Sequence, residues 1–565
     1  MAANLPLWAQ VYPEGLQWDS NIAVCPATAL LDESAAIFPQ NLCVDFLGYL
    51  LTYAQMQGLV NRLAAGLQAY GIQKGDRIAL FMPNCPYYVV AYYAALKVGA
   101  VVVNLNPLYA PQEMEHHLQD SAPRLLFTLD LAQFHGKLRH VLEKCPHLEN
   151  LVVCSLADVL PPLKSVLYRL FKRRDIAKWR KGEPKHLGWD ELIAAEGAQP
   201  APVAIDPLND LAVLQYTGGT TGVAKGAMLT HYNIYANACQ SALWFQGAKV
   251  GQERMLGVLP LFHVFAMTVI MNMTLKLGGA MILLPKFDLN EALSVITTKK
   301  PTLFPAVPTI FTAIVNHGKL GKYSLSSIQK CISGGAPLPV ETKSRFEALT
   351  GCVLVEGYGL SETSPVASCN PMFGVNKPGS IGLPLPQTHF SIRSLEDPMR
   401  EVSQGERGEV CIKGPQLMKG YWNRPDETAN VMLPDGFLRT GDVGIMDEQG
   451  YISIVDRIKD MILCSGYNVY PRNVEEAIYQ HPSVKETIVL GVPDPYRGQT
   501  VKAYVTRKDG ASLGEIELLD FLKERLSPME MPKMVEFRDN LPKTMIGKLS
   551  RKELYAEMER SKPAS

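Results

Sequence analysis

The sequence predicts an α/β protein with a large N-terminal domain of two α/β subdomains plus a small β-barrel, followed by a small α+β C-terminal domain. Three observations lead there. Apolar runs of strand length alternate with amphipathic stretches of helix length between residues 50 and 125, and the rhythm returns between 210 and 360, as in parallel sheets with crossover helices. Between about 375 and 455 the segments shorten and Gly and Pro become frequent, the pattern of a compact β-rich unit. Beyond Asp456 helical and strand patterns alternate again over short distances. A length of 565 residues allows three or four units at roughly 150 residues each.

The elements follow in order. Residues 53–70 carry apolar side chains at helical spacing and stop before Gly71, a glycine placed to cap a helix. Arg77-Ile-Ala-Leu-Phe-Met reads as a strand, 87–98 as a helix and Ala100-Val-Val-Val-Asn as the next strand. Leu211-Ala-Val-Leu is a buried strand. Residues 255–275 contain no Asp, Glu, Lys or Arg and are long enough to span a bilayer. Pro260, His263 and Asn272 inside the run, with Gly278 and Gly279 after it, favour a buried strand, turn and core helix. Gly408-Glu-Val-Cys-Ile-Lys is a strand of the β-rich stretch. Helices are expected near 473–480 and 514–526, and strands near 486–492 and 500–506. The boundary falls at Arg457-Ile-Lys-Asp, giving domains 1–458 and 459–565, with the β-rich subdomain at about 375–455.

The bulk numbers exclude several function classes. Lys plus Arg and Asp plus Glu both count 55, so no global field draws the chain to nucleic acid. The 11 cysteines are scattered without a Cys-x-x-Cys pair, which argues against a zinc site or a disulfide framework and fits a reducing compartment. The N-terminus lacks a basic region followed by an apolar core, so no signal peptide is expected. One local charge cluster stands out. Residues 164–181 are strongly basic and interleaved with Leu167, Leu170, Phe171 and Trp179, a composition suited either to an anionic membrane surface or to a solvated helix.

The chemistry begins at Tyr216-Thr-Gly-Gly-Thr-Thr-Gly-Val-Ala-Lys-Gly226. Thr217, Gly218, Gly219, Thr220, Thr221, Gly222 and Lys225 can bring backbone N–H groups, hydroxyls and one ammonium around a phosphate. Glycine permits the close backbone approach, and the absence of Gly-Lys-Ser/Thr excludes a Walker A loop. Four further segments belong with it. Pro260-Leu-Phe-His263 sets a histidine in an apolar surround. Gly334-Gly-Ala336 is a tight turn that a flat ring could approach. Glu356-Gly-Tyr358-Gly-Leu-Ser361-Glu362 offers a ring for stacking, hydroxyls and a carboxylate, the hard oxygens that suit Mg²⁺ carried by a nucleotide triphosphate. Arg439-Thr-Gly-Asp442 and Asp456-Arg457 can grip a ribose. Near the C-terminus, Gly547-Lys548 can place a point charge in a distant site.

Taken in order, these motifs resemble those of the adenylate-forming superfamily of acyl-CoA synthetases, peptide-synthetase adenylation domains and luciferases. The match runs over about residues 50–552. Asp435-Gly-Phe-Leu-Arg-Thr-Gly-Asp-Val and the run from Ile454 to Pro471 are similar to the fatty acyl-CoA synthetase signature. The resemblance implies two half-reactions, in which ATP and a carboxylic acid give an acyl-adenylate and pyrophosphate, and coenzyme A then displaces AMP. It makes Lys548 the adenylation lysine, places His263 beside the carboxylate, and gives Glu362 and Thr217 to Mg²⁺. It assigns Thr217–Gly222 and Lys225 to the β- and γ-phosphates, Ser361 to the α-phosphate, Gly334, Ala336 and Tyr358 to adenine, and Asp442 and Arg457 to ribose. It makes residues 459–565 a mobile lid with Lys459 as its hinge, and Gly466 the place where the pantetheine arm passes. Phe262, Val264, Phe265, Met267, Val269 and Met271 are candidates for a fatty-chain tunnel, with Met267 where some relatives carry a tryptophan gate. The implied activity is that of an AMP-forming long-chain fatty acid–CoA ligase. A medium-chain or aryl-acid CoA ligase and a fatty acyl-AMP ligase remain alternatives. A cytoplasmic protein is expected, peripheral on the inner face of the membrane through 164–181, and a homodimer is compatible with the resemblance.

Overall fold

A computed structural model describes residues 5–179, 181–217, 224–464, 467–494, 496–543 and 549–560. The chain divides into two compact units. The larger comprises Val11–His389 and Lys413–Met432. The smaller takes the residues up to Gln10, Phe390–Ile412 and the chain from Leu433 on.

Two sheets build the larger unit. In the first, seven strands lie in the order His186–Gly188, Asn150–Cys154, Leu125–Leu129, Arg77–Phe81, Val101–Asn104, Leu211–Thr217 and Lys225–Thr230. All neighbours are parallel except the last pair, a hairpin. The second sheet has nine strands. Its parallel centre runs through Val353–Gly359, Lys330–Ser333, Leu303–Ala306, Arg254–Gly257, Ala280–Leu283 and Leu42–Phe46, with antiparallel strands at both edges. The parallel strands read as apolar runs because helices cover both faces.

The helices follow from local sequence. Tyr53–Tyr70 starts at a Thr52–Gln55 capping box and ends at Gly71, whose φ of 99° is the left-handed conformation that glycine adopts most easily. Its buried side chains, Tyr53, Met56, Val60, Leu63, Ala64 and Leu67, form one stripe. Pro86–Lys97 is buried on all sides except at Lys97, as its unbroken apolar composition requires. The uncharged stretch at 255–275 resolves into the strand Arg254–Gly257, a turn, a π-helix at Ala266–Asn272 and a short helix at Met273–Lys276. Among the described residues, no helix is long and apolar enough to cross a membrane.

The basic segment departs from a single amphipathic helix. Its helix spans Pro162–Phe171 and exposes Leu167, Leu170 and Phe171, whereas Trp179 lies beyond the helix and stacks on His186 with ring centroids 6.4 Å apart. Trp179 is therefore a packing residue rather than part of the exposed apolar face.

The β-rich stretch at about 375–455, expected as a small barrel of the large N-terminal domain, forms a four-stranded sheet in the order His389–Arg393, Gly408–Lys413, Leu438–Met446 and Ile452–Arg457, most of which falls in the smaller unit. A five-stranded sheet follows, centred on the long hairpin Val484–Asp494 and Gly498–Arg507. The helices Pro471–Tyr479 and Glu515–Leu522 bury Val474, Ile478, Leu518 and Leu522 against Val489, Val501 and Val505.

Candidate active site

The phosphate loop is held at its base. Strands Leu211–Thr217 and Lys225–Thr230 pair with Thr217 opposite Lys225, so the two ends of the loop lie side by side. Gly218, Gly219, Thr220, Thr221 and Gly222 lie outside the described residues. The Tyr216 hydroxyl donates to Asp120 Oδ2 at 2.6 Å, anchoring the strand just before the loop. Lys225 Nζ pairs with Glu427 Oε2 at 2.5 Å.

The predicted adenine residues leave neighbouring strands. Lys330–Ser333 and Val353–Gly359 are parallel, with Ser333 opposite Glu356. Gly334 and Ala336 follow the first strand, and Tyr358 lies near the end of the second. The C-terminal ends of parallel strands are where open α/β sheets bind ligands. Gly334 is closely packed, since a Cβ there would come 3.1 Å from the Phe265 ring, which would have to shift. Gly359 is stricter still, since a Cβ would sit 1.9 Å from the Pro365 carbonyl oxygen. A one-turn helix, Ser361–Thr363, then presents Ser361 and Glu362, both half-buried. The Tyr421 hydroxyl donates to Glu362 Oε1 at 2.7 Å, and the Met418 N–H donates to the Glu362 carbonyl at 2.8 Å. Burial, and then the nearby Glu362 charge, hold the Tyr421 phenol well above its ordinary range, so it stays a neutral donor.

His263 is half-buried on the turn that precedes the π-helix. Its N–H donates to Pro260 O at 3.0 Å, and its Nδ1 accepts from the Phe265 N–H at 3.3 Å. A buried polar network fixes this turn. Asn84 donates to Leu259 O at 2.9 Å and accepts from the Leu261 N–H at 2.7 Å. The Tyr88 hydroxyl sits between Asn104 Oδ1 and Leu261 O, at 2.7 and 2.9 Å. Asn104 in turn donates to Gln215 Oε1, and Gln215 donates to Phe262 O at 3.2 Å. The Thr268 hydroxyl donates to Ser364 O, tying the π-helix to the Glu362 turn. Of the candidate tunnel residues, Val264, Phe265, Met267, Val269 and Met271 are buried and Phe262 is half-buried. Wide π turns of this kind are frequent at functional sites.

In the smaller unit, Asp442 and Arg457 are cross-strand partners, with Arg457 Nε 3.0 Å from Asp442 Oδ1. The aspartate is buried and the arginine is exposed, so the guanidinium is accessible to a ligand. Lys459 follows on the one-turn helix Ile458–Asp460. Desolvation, and then the Arg457 charge, push its ammonium down to about 8, although the residue keeps an exposed surface. Arg551 reaches Asp460 at 3.2 Å and Glu475 at 2.6 Å. Gly466 and Lys548 lie outside the described residues. What flanks them is defined: Cys464 pairs with Tyr467 on either side of 465–466, and Lys543 bridges Leu549 on either side of 544–548.

Motif reading misses Tyr421, Glu427, Asp120, Asn104 and Gln215. Two of them carry a usable signal, since Asn104 ends the otherwise apolar strand Val101–Asn104 and Gln215 directly follows the apolar run Leu211–Leu214.

The site can be set beside known proteins. The model of the AMP-binding enzyme family matches residues 31–422, and that of the AMP-binding enzyme C-terminal domain matches residues 473–548. The long-chain-fatty-acid–CoA ligase of Bacillus subtilis is 45% identical over 97% of this chain and 98% of its own length. A feruloyl-CoA synthase of an Amycolatopsis species is 37% identical over 92% of this chain and 96% of its own. Among solved structures, ATP-bound MatB from Rhodopseudomonas palustris superposes with a TM-score of 0.80 at 30% identity, covering 95% of this chain and 99% of that one. With both models matched in order and the motif residues on strand ends and turns, the chain belongs to the AMP-binding enzyme family.

Proposed function

We propose that the protein is an AMP-forming fatty acid–CoA ligase, converting ATP, a long-chain fatty acid and coenzyme A into acyl-CoA, AMP and pyrophosphate through an acyl-adenylate. The observation that carries this reading is the convergence of Lys225 and Glu362, far apart in sequence, on one side chain. Tyr421 donates to Glu362, and Lys225 Nζ lies 5.2 Å from the centre of the Tyr421 ring. A cation for phosphate and a carboxylate for a divalent ion are thus held near each other, as nucleotide chemistry needs. The 45% identity to a long-chain ligase supports the substrate class.

The chemistry follows from charge. In the first half-reaction, negative charge concentrates at the α-phosphorus and on the attacking carboxylate, where cations stabilise the transition state most. Lys548 is assigned to the α-phosphate and Lys225, with Thr217–Gly222, to the β- and γ-phosphates. Ser361 contacts the α-phosphate, Gly334, Ala336 and Tyr358 frame adenine, and Asp442 and Arg457 hold ribose. Glu362 and Thr217 offer the hard oxygens that Mg²⁺ takes. When bound, that ion would screen phosphate charge. In the second half-reaction Lys459 serves as the hinge of residues 459–565, and Gly466 leaves room for the pantetheine arm. Pyrophosphate–ATP exchange tests the first step. Exchange that requires a fatty acid supports it, and exchange that needs no acid, or is absent with every acid, contradicts it. The feruloyl-CoA synthase relative favours an aryl-acid ligase as the second reading. The buried Val264, Met267, Val269 and Met271 favour a long apolar chain, with each buried CH₂ contributing about 0.8 kcal/mol.

We also infer a peripheral attachment to the cytoplasmic face of an anionic membrane, from which a long-chain acid would be drawn. On the helix Pro162–Phe171, residues Leu163, Val166, Leu167, Leu170 and Phe171 share one face and are all exposed, Phe171 to 80%. Lys164, Arg169, Lys172, Arg173 and Arg174 flank that face and are exposed as well. Apolar insertion bordered by basic side chains is the chemistry of an in-plane helix. Leu170→Ser combined with Phe171→Ser is expected to abolish sedimentation with phosphatidylglycerol-containing vesicles while leaving turnover of a soluble short acid unchanged. Undiminished sedimentation would return the helix to an ordinary solvated surface.

A further inference from the structure

Tyr421 belongs to none of the sequence motifs, yet it meets two of the candidate nucleotide-site residues, Glu362 and Lys225. It sits in the segment Lys413–Met432, which the chain returns to the larger unit after the strand ending at Lys413. Main-chain bonds fix it in place. Tyr421 forms an antiparallel bridge with Ala227, the Trp422 N–H donates to Gly226 O at 2.8 Å, and the Tyr421 N–H donates to Thr428 Oγ1 at 2.9 Å. The backbone of Tyr421 is therefore locked to the strand that begins at Lys225. Its hydroxyl is 2.7 Å from Glu362 Oε1, and its buried ring faces Lys225 Nζ. The Glu362 turn is also held from the same segment, through the Met418 N–H.

We propose that Tyr421 is a positioning residue of the nucleotide site, registering the Glu362 carboxylate against the strand that carries Lys225. A half-buried carboxylate on a one-turn helix has free rotation about its side-chain bonds unless something holds it. A neutral phenol anchored by backbone bonds occupies one oxygen in a fixed direction and so orients the plane of the carboxylate. The ring, facing the ammonium, restricts Lys225 at the same time. This inference rests on the reading of Glu362 as the ligand of a nucleotide-borne divalent ion.

The test is calorimetric titration of the full-length protein with ATP, once with Mg²⁺ and once with EDTA. Tyr421→Phe removes the hydroxyl and keeps the ring. It is expected to weaken binding of MgATP about tenfold, the effect of losing one charge-assisted hydrogen bond, and to change metal-free ATP binding less than about twofold. Equal weakening under both conditions would show a merely structural role and overturn the proposal, as would unchanged binding under both. Glu362→Gln separates the two levels of the argument. If it removes the Mg²⁺-dependent part of the affinity and Tyr421→Phe does not, the positioning role alone fails. If Glu362→Gln leaves the Mg²⁺-dependent part intact, the reading of Glu362 fails, and the proposal with it.

Discussion

The two units hold their candidate functional residues by different means. In the larger unit most of the polar groups that matter are held by uncharged donors: Tyr421 on the Glu362 carboxylate, Tyr216 on Asp120, and the uncharged Asn84, Tyr88, Asn104 and Gln215 network under His263, with the Lys225–Glu427 ion pair as the exception. In the smaller unit they are set by charge. Asp442 faces Arg457, Asp460 and Glu475 share Arg551, and Lys459 lies among these charges. Satisfied networks of uncharged groups rigidify a site and respond little to salt. Ion pairs respond to both salt and pH. The larger unit thus relies mainly on uncharged donors at its candidate site, and the smaller on ion pairs.

This contrast can be broken at several points. The largest effect is expected at Lys548. Lys548→Ala should slow adenylation at least ~100-fold while leaving thioester formation from supplied acyl-adenylate near its normal rate, measured by rapid quench of each half-reaction. Equal losses in both would remove the division of labour. Next, Arg551→Met strands two carboxylates and should destabilise the smaller unit by about 2 kcal/mol, less than a fully buried pair because its side chain is partly exposed. Urea unfolding read from a probe in that unit checks this, and an unchanged midpoint would contradict the charge-built account.

Two smaller effects sharpen the comparison. Glu427 pairs with Lys225 at an exposure that leaves the pair screened. Glu427→Gln frees the ammonium for phosphate and should lower KM for ATP about threefold without altering kcat, whereas a raised KM would mean that Glu427 orients Lys225 rather than competes for it. The smallest effect concerns Lys459. Its folded-state value of about 8 lies below the ordinary 10.5. The unfolded chain therefore holds the proton more tightly, and the charge opposes folding below about pH 8, an effect relieved as pH rises toward 10.5. Lys459→Gln should accordingly stabilise the protein at pH 7, by less than about 1 kcal/mol because the side chain is exposed, and NMR titration of the lysine should show a midpoint near 8. A midpoint above 10 would deny that burial and the Arg457 charge act on it.

Much of the larger unit is readable from sequence because its signals are local. Tyr53–Tyr70 carries its own cap and stop, and Arg77–Phe81 and Val101–Asn104 are apolar runs of strand length that only a covered parallel sheet accommodates. The motif residues Gly334, Tyr358, Ser361 and Glu362 fall together because neighbouring parallel strands end at the same sheet edge. What is not readable depends on contacts between distant segments. Tyr421 lies in a turn-rich stretch from Lys419 to Pro425 that looks like a connection, and its bond to Glu362 exists only once the segment returns to the larger unit. The composition change at about 375–455 marks a β-rich stretch, but that Phe390–Ile412 and Leu433–Arg457 join the smaller unit is a packing outcome. Trp179 shows the reverse case, in which helical periodicity suggests membrane contact but the helix stops at Phe171 and the ring turns onto His186.

The most direct test of the central claim is AMP release across a panel of acids from acetate to oleate, with aryl acids included, measured with and without coenzyme A. The account predicts release that requires coenzyme A, rises with chain length and is greatest with long chains. A maximum on an aryl acid, or pyrophosphate formation without coenzyme A-dependent release of AMP, would contradict it.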